Sequence, residues 1–479
     1  MIETFIHATE NDNLYIYDDQ HRLSMLVHPE FVKAYKKSTE AHPYYLKKYA
    51  YLRDRGFFAN PKLANFEKID ELIVKEGIVH SQQIVFEIVD YCNLNCTYCG
   101  FGELYEGFDE RTGKKINMRQ AINLLKYIFE HKPKNKKSKL SIGFYGGEPL
   151  LNMDFVKRIV EVANQLNNEK ELELVYTMTT NGTLVHKYID FLVTNKFNLQ
   201  ISLDGDEKNH SYRIYKKNNK NSFQEVIENV DMIQRNYPDY FSTNIGFNAV
   251  LHNRNSVKEI FEFIYKKYSK IPMISELNMN DINPDKQEFL EKMYHSKRKS
   301  ETEFQNKQSD MLHIVHGESS AFNELKDFLR HYSVNFYVSS ILASLYNIEK
   351  YLPASTCLPF SKKIYLTIHN KLLPCEKINY AYSIGKVNKN VEISIPDIMR
   401  QYNFYYNHLK KICQTCYAYR FCGICLFQIK NIGHCDSEEL VCDNFQDQKA
   451  FKNKLFRIFS FVEKYPNDFF QILENIIVE

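Results

Sequence analysis

The sequence predicts an α/β fold: a partial (β/α)6 barrel with a small N-terminal α+β module and a cysteine-rich C-terminal region. Three observations predict it. Between about residues 83 and 279, short apolar runs alternate with helical periodicity, roughly six times over. Polar, glycine-bearing motifs recur where the apolar runs end. The cysteines are split, three near residue 95 and eight from Cys357 to Cys442.

At 479 residues the chain exceeds one ordinary core, and several domains are expected. The sequence divides into an N-terminal strand/helix module (1–80), the partial barrel (81–280), a helical bridge (281–350), the cysteine-rich region (351–450) and a C-terminal helix (451–479). In the first, Asn13 to Val27 reads as a hairpin around a polar turn, followed by helical segments ending near Phe58. In the barrel, Ile84–Val89, Leu140–Tyr145, Leu172–Met178, Leu199–Leu203, Ile245–Leu251 and Met273–Leu277 read as strands. The intervening Ala121–Ile128, Phe155–Leu166, Tyr188–Val193, Val226–Ile233 and Ile260–Tyr265 have helical spacing. Such alternation implies a parallel sheet with crossover helices. In the bridge, Phe336, Ile341, Leu342, Leu345 and Ile348 form one apolar stripe. Beyond Cys442, Leu455, Phe456, Ile458, Phe459 and Val462 mark an amphipathic helix that packs back on the body.

Charge is nearly balanced, 62 basic against 59 acidic residues, which gives no electrostatic footprint for nucleic acid. The basic stretch from His131 to Lys139 reads as a solvated loop. The start lacks a basic and an apolar segment of the secretory kind. The longest uncharged stretch, about Tyr332 to Ile348, is too short and polar to span a bilayer. A soluble, cytoplasmic protein without membrane partners is expected. In that compartment thiols stay reduced, so eleven cysteines point to metal rather than disulfides.

Cys92, Cys96 and Cys99 are spaced C-x3-C-x2-C. Iron–sulfur clusters normally take four cysteines, so a tight set of three implies that something else binds the fourth iron. A zinc site with a distant fourth ligand and an incidental thiol group are the alternatives. Functional residues of parallel barrels gather at the C-terminal ends of strands. There the sequence places, in succession, the triplet, Tyr145-Gly146-Gly147-Glu148-Pro149, Thr179-Thr180-Asn181-Gly182 and Ser202-Leu203-Asp204-Gly205. Glycines in such positions allow the backbone to approach a bound molecule closely.

On these residues the chain resembles the radical S-adenosylmethionine (radical SAM) enzymes, whose signature is C-x3-C-x2-C with an aromatic before the last cysteine, here Tyr98. The resemblance implies a [4Fe-4S] cluster on Cys92, Cys96 and Cys99. S-adenosylmethionine on its open iron is split to a 5′-deoxyadenosyl radical that removes a substrate hydrogen. It further implies that Gly146, Gly147 and Glu148 hold the methionine amino group and that Ser202 holds a ribose hydroxyl. Tyr98 would lie against the adenine through its backbone, and Arg213 would face the methionine carboxylate. The run Asn209-His210-Ser211-Tyr212-Arg213 is one residue shorter between His and Arg than the family's usual His-Asp-x-x-Arg. An exposed loop arginine and a loop histidine are the alternatives there.

The later cysteines read Cys357-(17)-Cys375, Cys413-x2-Cys416-x5-Cys422-x2-Cys425, then Cys435 and Cys442. Paired C-x2-C units also suit zinc. Their order resembles the SPASM extension, which carries one or two auxiliary [4Fe-4S] clusters. By that resemblance Cys357, Cys375 and Cys425 ligate one cluster, and Cys413, Cys416, Cys422 and Cys442 the other. Cys435 is either a fourth ligand of the first, or that iron stays open for substrate. The spacing before Cys425 is one residue shorter than usual, and Asn370 stands where the family has a glycine. Asparagine tolerates the left-handed backbone better than most residues. Glu376, directly after Cys375, occupies the place of an acidic proton acceptor in sulfatase maturases, with a structural glutamate as the alternative.

The resemblance covers about residues 80 to 445 and is greatest to radical SAM peptide maturases, which cross-link or otherwise modify ribosomally made precursor peptides. Expected partners are a precursor peptide, leader and core, and a reductant such as flavodoxin or ferredoxin. The hairpin from Leu14 to Val27 would present an edge for the leader to join as an added strand, with a small domain that merely packs on the barrel as the alternative. The alternatives are a formylglycine-forming anaerobic sulfatase maturase and, in a different class, a non-enzymatic zinc-binding interaction protein.

Overall fold

The computed structural model describes residues 2–58, 63–305, 319–332, 352–354 and 356–467. The apolar stripe from Phe336 to Ile348 lies outside them. The chain divides into two compact units, each assembled from separate stretches.

One unit comprises Ile69–Met311 and Cys357–Gln401. Its parallel strands run in sequence order: β4 (Gln83–Val89), β5 (Lys139–Gly146), β6 (Glu173–Thr180), β7 (Asn198–Ser202), β8 (Ile245–Val250) and β9 (Met273–Ser275). From β4 to β7 the crossovers are α4 (Met118–His131), α5 (Met153–Lys170) and α6 (Ile189–Thr194). α7 (Phe223–Asn236) and α8 (Pro238–Asn244) lead into β8, and α9 (Val257–Tyr268) into β9. This is the partial barrel. Six of the seven residues of β4 are buried, the near-continuous apolar run of a strand covered on both faces. On α4, Ala121, Leu124, Leu125 and Ile128 form one buried stripe at helical spacing. Asn117 caps that helix by accepting from the Gln120 N–H, and Ser256 caps α9 through Glu259.

The sheet extends beyond those six strands. β10 (Lys363–Leu366) pairs in parallel with the free side of β4, Ile364 opposite Ile84. Antiparallel strands β11 (Lys371–Leu373), β12 (Gly385–Val387) and β13 (Val391–Glu392) follow. The β10–β11 turn places Asn370 at φ +65°. Asparagine therefore performs the left-handed task that a glycine would otherwise serve.

The other unit comprises Met1–Lys68, Leu312–Thr356 and Tyr402–Glu479. Its antiparallel sheet has the order β1 (Phe5–Ala8), β2 (Leu14–Asp18), β3 (Leu23–Val27). The β2–β3 hairpin is the one read from the sequence, and β1 joins it with Phe5 opposite Tyr17. α1 (Pro29–Tyr35) and α2 (Pro43–Asp54) follow, and Phe31 and Phe58 close a small core over Ile16 and Val27. On the sheet's opposite side Phe5 and Tyr17 join Leu325, Phe328, Phe451 and Leu455. The last two lie on the C-terminal amphipathic helix, Gln448–Lys464, whose Glu463 accepts hydrogen bonds from Thr9, Asn11, Asn13 and Tyr15. Among the described residues no helix is long and apolar enough to cross a membrane.

Candidate active site

The cysteine triplet lies in the loop after β4, and its backbone is tied down along its length. Asn95 and Thr97 donate their N–H groups to the carbonyls of Ile214 and Tyr212, at 2.8 and 3.2 Å. From the other side Gly147 donates to Val89 and Glu148 to Tyr91. The approach is so close that a Cβ on Gly147 would stand 1.9 Å from the Tyr91 carbonyl oxygen. Gly146, at φ +123°, would bring one within 2.4 Å of the Val89 oxygen. These two glycines are thus needed first to let the β5 end lie against the cysteine loop.

The three thiols are within electrostatic reach of one another. Burial pushes Cys92 up to about 11 and Cys96 up to about 12, so these two are protonated as free thiols. Metal binding must displace those protons. The Leu94 N–H and the Asn181 Nδ2 point at the Cys92 sulfur from 3.4 and 3.5 Å. Three half-buried thiols on one loop, with hydrogen-bond donors aimed at the Cys92 sulfur, are the donor type of an iron–sulfur cluster, although among the described residues no three His, Cys, Asp or Glu side chains are grouped to hold a single metal ion.

Around this loop run two buried polar networks. In the first, the Glu148 carboxylate (1% exposed) accepts from the Leu150 N–H at 3.0 Å, the Thr180 hydroxyl at 2.7 Å and the Asn181 N–H at 2.8 Å. Burial pushes it up to about 7 against those hydrogen bonds. Asn181 also donates to Asn93 Oδ1 at 2.8 Å, which connects the ends of β5 and β6 to the cysteine loop.

The second network centres on Asp204, fully buried after β7. Its carboxylate accepts Arg213 Nε at 2.9 Å, Arg213 Nη2 at 3.1 Å, the Val250 N–H at 2.9 Å and the Tyr98 hydroxyl. Burial pushes Asp204 up, but the guanidinium outweighs it and holds the carboxyl below its ordinary value. Arg213 is buried at 7% exposure, not an exposed loop arginine, with its guanidinium 5.3 Å from the Tyr98 ring centre. His210 accepts the Asp204 N–H at Nδ1 and meets the Ser222 hydroxyl at Nε2. Burial lowers His210 to about 3 and His252 to about 4, so both rings are neutral. Ser202 closes β7 beside this network, 7% exposed.

In the same unit Glu376 is partly buried, and both its oxygens accept from Lys363 Nζ on β10, at 2.8 and 2.6 Å. Burial pushes this carboxyl up, and the lysine outweighs it to keep the acid ionised. Burial takes neighbouring Cys375 up to about 12. Cys357 is exposed.

The other unit holds Cys413, Cys416, Cys422, Cys425, Cys435 and Cys442. Four of these, Cys413, Cys416, Cys422 and Cys442, line one cavity together with apolar side chains that include Phe66, Leu409 and Phe445. Burial pushes Cys413 up to about 12, and the Gln446 N–H donates to the Cys416 sulfur at 3.4 Å. Four cysteines on one apolar pocket are the donor type of an iron–sulfur cluster, although among the described residues no three His, Cys, Asp or Glu side chains are grouped to hold a single metal ion. Cys425 and Cys435 are not among its lining residues, and Cys425 lies in a different unit from Cys357 and Cys375.

Sequence reading left Asp204, Thr180 and Asn181 without roles although it quoted the strand-end motifs that contain them. Lys363 and His252 have no local sequence signal, since their partners are 13 and 48 residues away.

A parallel partial barrel with thiols and glycines on its C-terminal rim defines a radical-type iron–sulfur scaffold. Residues 86–264 match the family model of the radical SAM superfamily. The family implies a [4Fe-4S] cluster and S-adenosylmethionine. The radical SAM cyclopropyl synthase TigE of Paramaledivibacter caminithermalis is 30% identical over 166 residues, 33% of this chain and 33% of that protein. A cysteine-type anaerobic sulfatase-maturating enzyme of Clostridium novyi is 29% identical over 220 residues, 42% of this chain and 56% of that protein. These alignments span from a third to just over half of those relatives. Native anSMEcpe with bound AdoMet has the same fold at 18% identity, with a TM-score of 0.50 over 82% of this chain and 100% of that one.

Proposed function

We propose that the protein is a radical SAM peptide maturase that removes hydrogen from a ribosomally made precursor and installs a cross-link or related modification. The observation that carries the reading is that the chain joins three parts: the thiol-bearing rim, the four-thiol pocket and a three-stranded sheet whose β3, among the described residues, pairs with β2 alone. An edge strand with an open ladder suits capture of an extended leader peptide.

With the cluster and S-adenosylmethionine in place, the site would supply a 5′-deoxyadenosyl radical for hydrogen abstraction. The chain's own residues hold and shape that site. Cys92, Cys96 and Cys99 would carry the cluster. Gly146, Gly147 and Glu148 would line the methionine end, Ser202 the ribose, and the Tyr98 backbone the adenine. Because Asp204 already engages Arg213 through two hydrogen bonds, the arginine would meet a methionine carboxylate only with its remaining N–H groups. Glu376, ionised beside Lys363, would take a proton from substrate. Cys413, Cys416, Cys422 and Cys442 would hold one auxiliary cluster, and Cys357, Cys375 and Cys425, with or without Cys435, the other. A flavodoxin or ferredoxin would supply electrons, and the cytoplasm is the compartment this chemistry fits.

The test is anaerobic reconstitution with S-adenosylmethionine, a reductant and the precursor peptide encoded beside the gene. 5′-Deoxyadenosine formation should rise above its uncoupled rate with peptide, whose mass should fall by two hydrogens per bond made. Iron should reach about twelve per chain, and about eight when Cys92, Cys96 and Cys99 are replaced by alanine. Zinc in place of iron would sink the enzyme reading.

The similarity to sulfatase-maturating enzymes favours a second reading, formylglycine formation on a cysteine or serine. Turnover of a short sulfatase-motif peptide lacking any leader would select it.

A further inference from the structure

The four-thiol pocket and the N-terminal sheet belong to one compact unit, and the short loop between Cys416 and Cys422 touches both. Tyr417 accepts the Glu3 N–H at its hydroxyl, at 2.7 Å, and sits 5.6 Å from Phe5 of β1, ring centre to ring centre. Arg420 forms an ion pair with Asp19 in the β2–β3 turn at 2.6 Å, the two side chains only 10% and 13% exposed. It donates a further bond to the Asp19 carbonyl at 3.0 Å, and Tyr419 donates to the Asp19 carboxylate at 3.3 Å. On the sheet side the same carboxylate accepts from Tyr17 of β2 at 2.7 Å. Phe66, at the end of the N-terminal segment, lines the pocket and packs edge-on against Tyr419 at 6.2 Å.

We propose that metal held by Cys413, Cys416, Cys422 and Cys442 sets the order of the N-terminal sheet, with Tyr417, Tyr419 and Arg420 as the positioning residues. Ligation at Cys416 and Cys422 clamps both ends of the loop that carries them. Without metal that loop samples more conformations, and each one costs the β2–β3 turn its partners. Metal binding in such a site is folding free energy for whatever the ligand loop supports. The coupling is reciprocal, so ordering the sheet must raise affinity for the metal by the same factor. The inference deepens the proposed function by making the leader-docking edge depend on the pocket, yet the ordering itself is independent of any peptide.

The test is backbone hydrogen exchange, read by mass spectrometry on the full chain, reconstituted without oxygen and without peptide. The parent is compared with Cys416→Ser/Cys422→Ser and with Arg420→Gln. The double variant should exchange at least tenfold faster across residues 14–27, while residues 83–89 and 139–146 keep parent rates and report an intact barrel. Arg420→Gln should keep the pocket metal and still exchange severalfold faster over 18–27. Parent rates over 14–27 in the double variant would overturn the proposal. If that variant fails to fold, Arg420→Gln decides: parent-like exchange with the metal retained overturns the proposal just as surely. Because no peptide is present, failure here is distinct from failure of the leader reading.

Discussion

The two thiol sites solve the same problem with different forces. Around Cys92, Cys96 and Cys99 the loop is held by directional bonds: backbone pairing to residues 212–214, the Glu148 and Asn181 network, and the buried Asp204–Arg213 pair. Around Cys413, Cys416, Cys422 and Cys442 the wall is largely apolar, and the ligand loop is gripped through aromatic packing, the Arg420–Asp19 ion pair and hydrogen bonds to Glu3 and Asp19. A site that must bind a polar cofactor and change substrates needs oriented polar groups on a rigid rim. A pocket proposed only to hold a cluster would need thiols and dry walls. The difference predicts which substitutions each unit tolerates.

The largest effect is expected where a buried charge loses its counterpart. Asp204→Asn leaves Arg213 in the interior without compensation, a situation that costs about 3–5 kcal/mol. Urea unfolding followed on the barrel unit should show that loss, with weaker retention of iron by the triplet. A change below about 1 kcal/mol would mean that solvent reaches the arginine and that the rim is not held by this pair.

The N-terminal sheet buries a neutral histidine, and pH should reveal it. His7 of β1 is 5% exposed, stacked on Tyr15 and against Phe459. Burial lowers it to about 4, with Lys452 acting in the same direction and Glu463 and the Ala8 carbonyl opposing. Between about pH 4 and 6.5 the unfolded chain binds a proton that the folded ring refuses. Stability of this unit should therefore rise with pH across that window, by up to ~3 kcal/mol, and level off above it. His7→Phe should flatten the rise. An unchanged slope in that variant would assign the pH dependence to another group.

Gly147→Ala tests the rim's close approach. The added carbon collides with a backbone carbonyl rather than a movable side chain, and overpacking of this kind costs about 1–3 kcal/mol. Iron bound by the triplet and 5′-deoxyadenosine formation should both fall, while the four-thiol pocket keeps its metal. Loss of metal from both sites alike would erase the contrast between them.

Most of the barrel was legible because parallel strands buried on both faces read as apolar runs, and α4, α5, α7 and α9 carry clear amphipathic stripes. β10 was not, since it joins β4 across some 280 residues and its pairing has no local pattern. β1 is only four residues long, too short for alternation to show. At the site, the strand-end motifs marked the neighbourhood, but roles inside it follow from partners. Nothing near residue 204 indicates that its carboxylate will meet Arg213, Tyr98 and the Val250 amide at once. Likewise Glu376 was visible beside Cys375, whereas the lysine that keeps it ionised was not.

The smallest effect on folding is expected at Leu26 of β3, an apolar side chain 59% exposed on the strand that the leader is proposed to join. Leu26→Lys removes no buried contact, so unfolding should move by less than about 0.5 kcal/mol. A charge on an edge strand discourages further strand pairing. Affinity for the precursor peptide should therefore fall severalfold, while uncoupled cleavage of S-adenosylmethionine at the rim is untouched. Fluorescence anisotropy with a labelled precursor would read the first and chromatography of 5′-deoxyadenosine the second. Unaltered affinity would remove this face of β3 as the docking edge. A parallel loss of both readouts would show that Leu26 acts on the fold and not on the peptide.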